Sequence, residues 1–365
     1  MSLQKHNTMA LRPDRMTERE RIQALLNHQK PDRVPIWPFA MGYAIRHSAY
    51  KGGSLYKDRQ ALAAVRQVMR DYNWMSTTLI GYSNLGSKEF GGEIKWPTSE
   101  FSQTVTTAHY PVETKEDAWN LTLPDVETAG MVPKNMAACQ FVMGNPSDNE
   151  PFSLPVLTGP FSTASNICGI ENLCRWLVKE PETAHRLIRL ATDFLVELAR
   201  HMRDTCGTQG VIPWMGEAAS TNQLISEKHF AEFVFPYQKE FHEKLIDSGF
   251  QYIFSHICGD QNSNLPYWAQ IPMGNPGMIS IGHEVDIEVA AGYFPGDIIV
   301  GNVEPGIIQE GTPEQVYELS RICIEKGKKC PGGFILAPGC ELPPHAPTEN
   351  VWMMTQAVND FGWYE

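Results

Sequence analysis

The sequence predicts an α/β chain folded as a (β/α)8 barrel, a TIM barrel, with a hairpin-and-helix elaboration after its second strand. Three observations carry this expectation. Eight short apolar segments recur along the 365 residues, with helical patterning or loop between them. The segments run without polar alternation, as parallel strands buried on both faces require. No Gly-x-Gly-x-x-Gly follows an early strand, which disfavours a doubly wound open sheet. A hydrophobic fraction of 42% supplies core enough for one domain over residues 1–365.

The first element is a helical lead-in within residues 1–33. Thr17-Glu18-Arg19-Glu20 reads as a capping box, Ile22, Leu25 and Leu26 recur at helical spacing, and Pro31 ends the helix. Val34-Pro35-Ile36-Trp37 is the first expected strand, a helix follows over Ala61–Tyr72, and Met75–Ile80 is the second strand. Residues 81–155 change pattern and are expected to elaborate the barrel. Gly91–Trp96 and Gln103–Tyr110 read as two arms of a hairpin, with helices over Lys115–Asn120 and Pro133–Met143. From there the alternation is regular. Strands are expected at Val156–Gly159, Val211–Met215, Tyr252–His256, Met278–Ile281, Ile298–Gly301 and Phe334–Ala337. Helices are expected at Pro181–Cys206, Glu227–Ser248, Asn262–Gln270, Val285–Tyr293, Pro313–Lys329 and Thr348–Phe361.

Charge and composition exclude several functions. Thirty basic against 42 acidic side chains leave a net charge of −12, which repels a phosphate backbone. The densest basic run, Lys326 to Lys329, holds only three lysines, so no nucleic-acid partner is expected. No stretch reaches the roughly 18 apolar residues of a membrane span, and the first residues carry no apolar signal region. Eight cysteines are ordinary usage for this length. A cytoplasmic chain with reduced thiols is the expectation, and such thiols serve as metal ligands.

In a barrel the reactive site lies at the C-terminal ends of the strands. His256 and Cys258 stand two apart at one such end, and on extended chain both side chains point the same way. Cys340 follows the last strand, in Ala337-Pro338-Gly339-Cys340-Glu341. Closure of a barrel brings these two strand ends to one rim. One imidazole and two thiolates suit tetrahedral Zn2+ with a fourth position open for chemistry. Glu217, on the rim after the fourth strand, is the expected occupant of that position at rest. Asp260 either orients His256 or caps the helix expected at Asn262. His283 is a further rim candidate. Phe39, Met41, Tyr43, Trp37 and Trp214 are expected around an apolar cavity, with Trp37 and Trp214 read as barrel packing. The remaining cysteines, Cys139, Cys168, Cys174, Cys206, Cys323 and Cys330, are read as packing.

These residues resemble the uroporphyrinogen decarboxylase superfamily, and within it the zinc-dependent corrinoid methyltransferases. The resemblance rests on Thr17–Arg21, Lys30–Pro35, Gly159-Pro160-Phe161, Gly301–Pro305, Pro338–Pro343 with Glu349-Asn350, and His256-Ile257-Cys258 with Cys340. It implies a (β/α)8 barrel, zinc on His256, Cys258 and Cys340, and a methyl group moved between cobalt and a small thiol, alcohol or methyl ether. The cobalt would be methylcobalamin or a Co(I) corrinoid supplied by a corrinoid-binding partner protein. Phe39, Met41, Tyr43, Tyr82, His283 and Asn302 are the residues expected to face that cofactor. The alternative within the superfamily is a decarboxylase. It would need arginines after the first strand, where Phe39-Ala40-Met41-Gly42-Tyr43-Ala44 stands instead.

Overall fold

The parallel strands close into a ring through a segment that is not itself a strand. A computed structural model describes residues 11–50, 56–80, 82, 84–97 and 104–364. Within these, the strands are β1 (Leu79–Ile80), β2 (Glu93–Lys95), β3 (Thr106–His109), β4 (Leu154–Thr158), β5 (Trp214–Glu217), β6 (Phe254–Ile257), β7 (Met278–Ile281), β8 (Ile298–Val303) and β9 (Phe334–Pro338). Seven of them form one parallel sheet in the order β1-β4-β5-β6-β7-β8-β9. The expected first strand, Val34–Trp37, is not regular strand. Prolines at 35 and 38 remove two ladder donors, and only Ile36 pairs, in parallel, with Leu336. It still completes the ring. Leu336 donates to the Pro35 carbonyl at 2.9 Å, Trp37 donates to Leu336 at 3.1 Å, and Met75 donates to Ile36 at 3.0 Å. The expected strand at Met75–Ile80 shrinks to β1 at its far end.

Side-chain alternation sorts the strand residues into two layers. Trp37, Phe39, Met75, Leu154, Phe254, Met278, Ile298, Val300, Ile335 and Ala337 fill the barrel interior. Leu157, Met215, Ile257, Ile279, Ile281, Ile299 and Leu336 face the surrounding helices. Ile22, Leu25 and Leu26 join the interior cluster, so the lead-in helix Glu18–Leu26 plugs one end. The Thr17–Glu20 capping box starts that helix. The buried Arg21 guanidinium, bonded to Asp32 at 2.7 Å and to Glu18 at 2.6 Å, ties it to the chain entering the barrel. Substrate access is therefore left to the opposite end, where the strands terminate.

The long helix Pro181–Cys206 forms as expected. The helix expected over Glu227–Ser248 is one helical run to Asp247 with a π turn at Phe230–Val234. Pro236 follows that turn and cannot donate to the ladder, which accounts for the shift in hydrogen-bond register. Four helices were not expected: Met41–Arg46, Pro160–Cys168, Ile170–Lys179 and Pro305–Glu310. Pro160 and Pro305 sit in first turns, where the missing N–H is harmless; that signal was legible in the sequence. In the elaboration β2 and β3 pair antiparallel, and Val112, Ala118, Val132, Met136 and Val142 pack into the outer core. Residues 1–10, Gly81 and Gln103, which fall in the expected lead-in, elaboration and hairpin, lie outside the described residues. No helix among the described residues is long and apolar enough to cross a membrane.

Candidate metal centre

His256 stands on β6 and two loops carry the sulfurs, and backbone hydrogen bonds extend the barrel ladder into both. Cys258 N donates to the Glu217 carbonyl at 3.2 Å, one residue beyond β6. Gly339 N donates to the Val303 carbonyl at 2.8 Å, immediately before Cys340. Each loop needs its glycine. Gly259 has φ +71°, and a Cβ there would meet Thr221 Oγ1 at 2.9 Å. A Cβ on Gly339 would meet His283 N at 2.8 Å. Gly259 thus packs on the loop after β5 and Gly339 on the loop after β7, and the donor atoms of His256, Cys258 and Cys340 all lie within 4.8 Å of one another. Ligand atoms around one tetrahedral Zn2+ stand roughly 3.8 Å apart for bonds of about 2.3 Å, so this spacing fits.

His256 is held from three sides. Its Nδ1 lies 2.9 Å from Ser280 Oγ on β7, its ring stacks on Trp214 at 5.8 Å, and the edge of Phe39 meets it at 5.5 Å. His256 is 5% exposed, yet its Nε2 has no hydrogen-bond partner. A buried nitrogen without a partner costs free energy unless something fills its lone pair. With Nδ1–H donating to Ser280, Nε2 is the nitrogen left for a metal. The two sulfurs share their protons unequally. The S–H of Cys258 and the adjacent His256 ring hold the Cys340 thiol below the usual thiol range. The anion on Cys340, together with burial, pushes the Cys258 thiol up. Soft N/S donors of this kind match Zn2+.

Glu217 is not part of this cluster. It pairs in register with Ile257, whereas Gly216 pairs with His256, so its side chain leaves the opposite face of the sheet. It points into the helical layer, accepting from Ser162 Oγ at 2.5 Å and from Ser162 N and Ala219 N at 3.2 Å. Burial pushes its carboxyl up to about 7. Asp260 does not touch His256 either. Its carboxylate accepts from Asn262 N at 3.0 Å and Asn262 Nδ2 at 2.8 Å, which opens the turn Asn262–Asn264. Ser280 takes the orienting place that was considered for Asp260.

The residues expected to face the cofactor do not form one surface. Phe39 lines the His256 ring. Met41 is half-buried, with its sulfur accepting from Leu79 N at 3.2 Å. Tyr43 is fully buried and bonds Tyr72 through its hydroxyl at 2.5 Å. Tyr82 is buried against Val105 and Met131 and donates to Glu89 at 2.7 Å. Asn302 donates to the Gly282 and Val285 carbonyls at 2.9 and 2.7 Å, bracing the loop after β7. The hydroxyls of Tyr43 and Tyr82 and the Asn302 amide nitrogen are thus engaged in holding the fold. His283 is 41% exposed on the rim with Nδ1 3.4 Å from Glu284 Oε2.

Sequence reasoning passed over Ser280, placed Glu284 and Glu341 on the rim without a role, and read Trp214 as packing. Ser280 had a signal: a serine inside the apolar Met278–Ile281 strand that aligns with His256. Glu341 follows Cys340 directly and accepts from Gly42 N at 3.2 Å, with its carboxyl pushed up to about 7 by burial.

Comparison with known proteins follows the same lines. A family model described as uroporphyrinogen decarboxylase (URO-D) matches residues 17–361. A methylated-thiol–coenzyme M methyltransferase of Methanosarcina mazei is 29% identical over 245 residues, which cover 66% of this chain and 62% of that relative. The methylcobamide:CoM methyltransferase MtbA of Methanosarcina acetivorans is 24% identical over 356 residues, covering 94% of this chain and 98% of that one. A solved methyltransferase from Methanosarcina mazei superposes with a TM-score of 0.77 at 18% identity, covering 95% of this chain and 99% of the other, and it shares the fold. With the family model spanning nearly the whole length and the barrel closed as described, the chain belongs to the uroporphyrinogen decarboxylase (URO-D) family.

Proposed function

We propose that this chain is a zinc-dependent methyltransferase that moves a methyl group between the cobalt of a corrinoid protein and a small thiol. The observation that carries the proposal is the convergence of His256, Cys258 and Cys340 at the open end of the barrel, with His256 Nε2 buried and unpartnered. The names of the similar methanosarcinal proteins, two of them methyltransferases acting with coenzyme M, support a thiol over an alcohol or ether.

Zn2+ held by these three side chains supplies a Lewis acid without redox chemistry, one that lowers the pKa of a thiol joining it. The protein does the rest. Ser280 fixes the imidazole so that Nε2 faces the thiols. Phe39 and Trp214 wall off the ring and keep water from that side. The lead-in helix closes the far end of the barrel, so a methyl donor and acceptor meet at the rim. The decarboxylase reading of the same family fits less well. Phe39, Ala40, Tyr43 and Ala44 are all buried, which leaves a polycarboxylate no cationic partner in that segment.

The test is zinc analysis of the purified chain together with methyl transfer from methylcobalamin to thiols, followed by the cobalt absorbance. Cys258→Ala and Cys340→Ala are expected to lose bound zinc and transfer together, with far-UV circular dichroism unchanged. Transfer at full rate by metal-free protein would defeat the proposal.

A further inference from the structure

The strand ladder stops short of the first sulfur. β6 ends at Ile257, whose pairing with Ile281 is the last between β6 and β7. Cys258 follows, and Gly259 turns the chain with φ +71°. The Cys258 N–H is still held by the Glu217 carbonyl of β5 at 3.2 Å. The Cys258 carbonyl lies past the ladder, and a side chain takes the place of a strand: Gln261 Nε2 donates to it at 3.1 Å.

Gln261 is fully buried, and its neighbours fix which way its amide points. Its Oε1 accepts from Trp268 Nε1 at 3.0 Å and from Asn264 Nδ2 at 2.8 Å. An indole N–H only donates and a backbone carbonyl only accepts, so the amide oxygen faces Trp268 and the nitrogen faces Cys258. Asn264, also fully buried, is oriented in the same way. Its Nδ2 donates to the Ser220 carbonyl at 3.1 Å as well, and its Oδ1 accepts from Asn222 Nδ2 at 3.0 Å. Asn222 Oδ1 takes the Ser263 N–H at 3.0 Å, so backbone groups fix both ends of the series. The loop after β5 is bonded to the same segment again through Asn222 N, which donates to the Asp260 carbonyl at 2.8 Å. A buried network in which each amide oxygen and nitrogen has a partner is rigid.

The consequence falls on one sulfur. With the peptide groups on both sides of Cys258 held, the direction of its Cα–Cβ bond is set, and χ1 alone is left to place Sγ beside His256 and Cys340. We infer that Gln261 is a positioning residue of the metal centre: oriented by Trp268 and Asn264, its amide fixes the Cys258 peptide and so aims the Cys258 sulfur at the place of the ion. This deepens the zinc-dependent reading and rests on it.

The test compares Gln261→Met with the native chain. Methionine matches glutamine in length, carries a weakly accepting sulfur and has no hydrogen to give the Cys258 carbonyl. Zinc affinity is read by competition with a chromophoric chelator. The Co2+-substituted protein is read at metal saturation from its sulfur-to-cobalt absorption band. The variant is expected to bind zinc at least about fivefold more weakly and to give a weaker, shifted band per bound cobalt. A role confined to holding the fold would lower the melting temperature of the metal-free protein and leave the saturated band as in the native chain. A saturated band identical to the native one therefore overturns the assignment, whatever happens to melting. Should Gln261→Met fail to fold, Trp268→Phe carries the test. It keeps an aromatic ring against Phe230, removes one of the two donors to Gln261 Oε1, and is expected to change the same band in the same direction to a smaller extent. An unchanged band there overturns the assignment equally. If the native chain takes up Co2+ with no sulfur band, the metal-centre reading itself fails and this assignment falls with it.

Discussion

Replacing Ser280 by alanine isolates the contribution of one hydroxyl to the metal centre. Ser280 is fully buried and lies beside His256 in register, with Oγ 2.9 Å from Nδ1. The substitution removes one oxygen and leaves Nδ1–H buried without an acceptor. That loss costs about 1–3 kcal/mol when a buried donor is orphaned. Part of it is recovered if the ring turns or shifts tautomer, and either movement takes Nε2 away from the sulfurs. Removing such a partner of a ligating histidine weakens metal binding about 10- to 100-fold, or about 1.4–2.7 kcal/mol. The assay is a competitive zinc titration against a chromophoric chelator at fixed pH, with thermal melting of the metal-free protein alongside. The expected result is zinc affinity lower by that factor and a small loss in apo stability. Affinity within about twofold of the native chain would refute the argument that Ser280 sets the tautomer.

Further outcomes follow from residues around the centre. Glu217 has its carboxyl pushed up from 4.5 to about 7 by burial, so folding favours its neutral form. The stabilisation is whole below pH about 4.5 and fades as pH rises through about 7, a loss of up to about 3 kcal/mol. In Glu217→Gln the melting temperature should lose most of that slope, and an unchanged slope would assign it to other groups. A Cβ at Gly159 would meet Glu217 Oε2 at 2.0 Å and Gln238 Oε1 at 2.6 Å, so Gly159→Ala should destabilise the chain by about 1–3 kcal/mol in urea unfolding. Asp260→Asn should leave zinc affinity unchanged, because its carboxylate serves Asn262; a tenfold weakening would restore it as the partner of His256.

Much of the barrel could be read from pattern. Six of the seven parallel strands begin within about three residues of an expected apolar run, because parallel strands buried on both faces need continuous apolar chain. The exceptions have local causes. The prolines at 35 and 38 break the first stave, and β1 begins four residues after the expected start. The helix at Pro160 was passed over although proline in a first turn announces it. At the site, the strand period says that Gly216 and Glu217 leave opposite faces, and the register between strands decides which of them shares a face with His256. His256 is paired with Gly216, so the next residue along β5 must face the helices. Tyr43, Tyr82 and Asn302 carried no such signal. A polar atom on a strand end looks alike in sequence whether it turns to a ligand or to Tyr72, Glu89 and the Gly282 carbonyl.

Local pattern was enough to name the parts: strands, most helices, and an imidazole two residues from a thiol. Their meeting was not local. Cys340 reaches Cys258 because a ring of hydrogen-bonded strands brings β6 and β9 to one mouth, where Gly259 and Gly339 let their loops pack tightly on the neighbouring loops at Thr221 and His283. The same ring sends Ser280 to His256 and Glu217 away from it. Direction across a sheet follows from which strands are neighbours, and that depends on contacts between residues far apart along the chain.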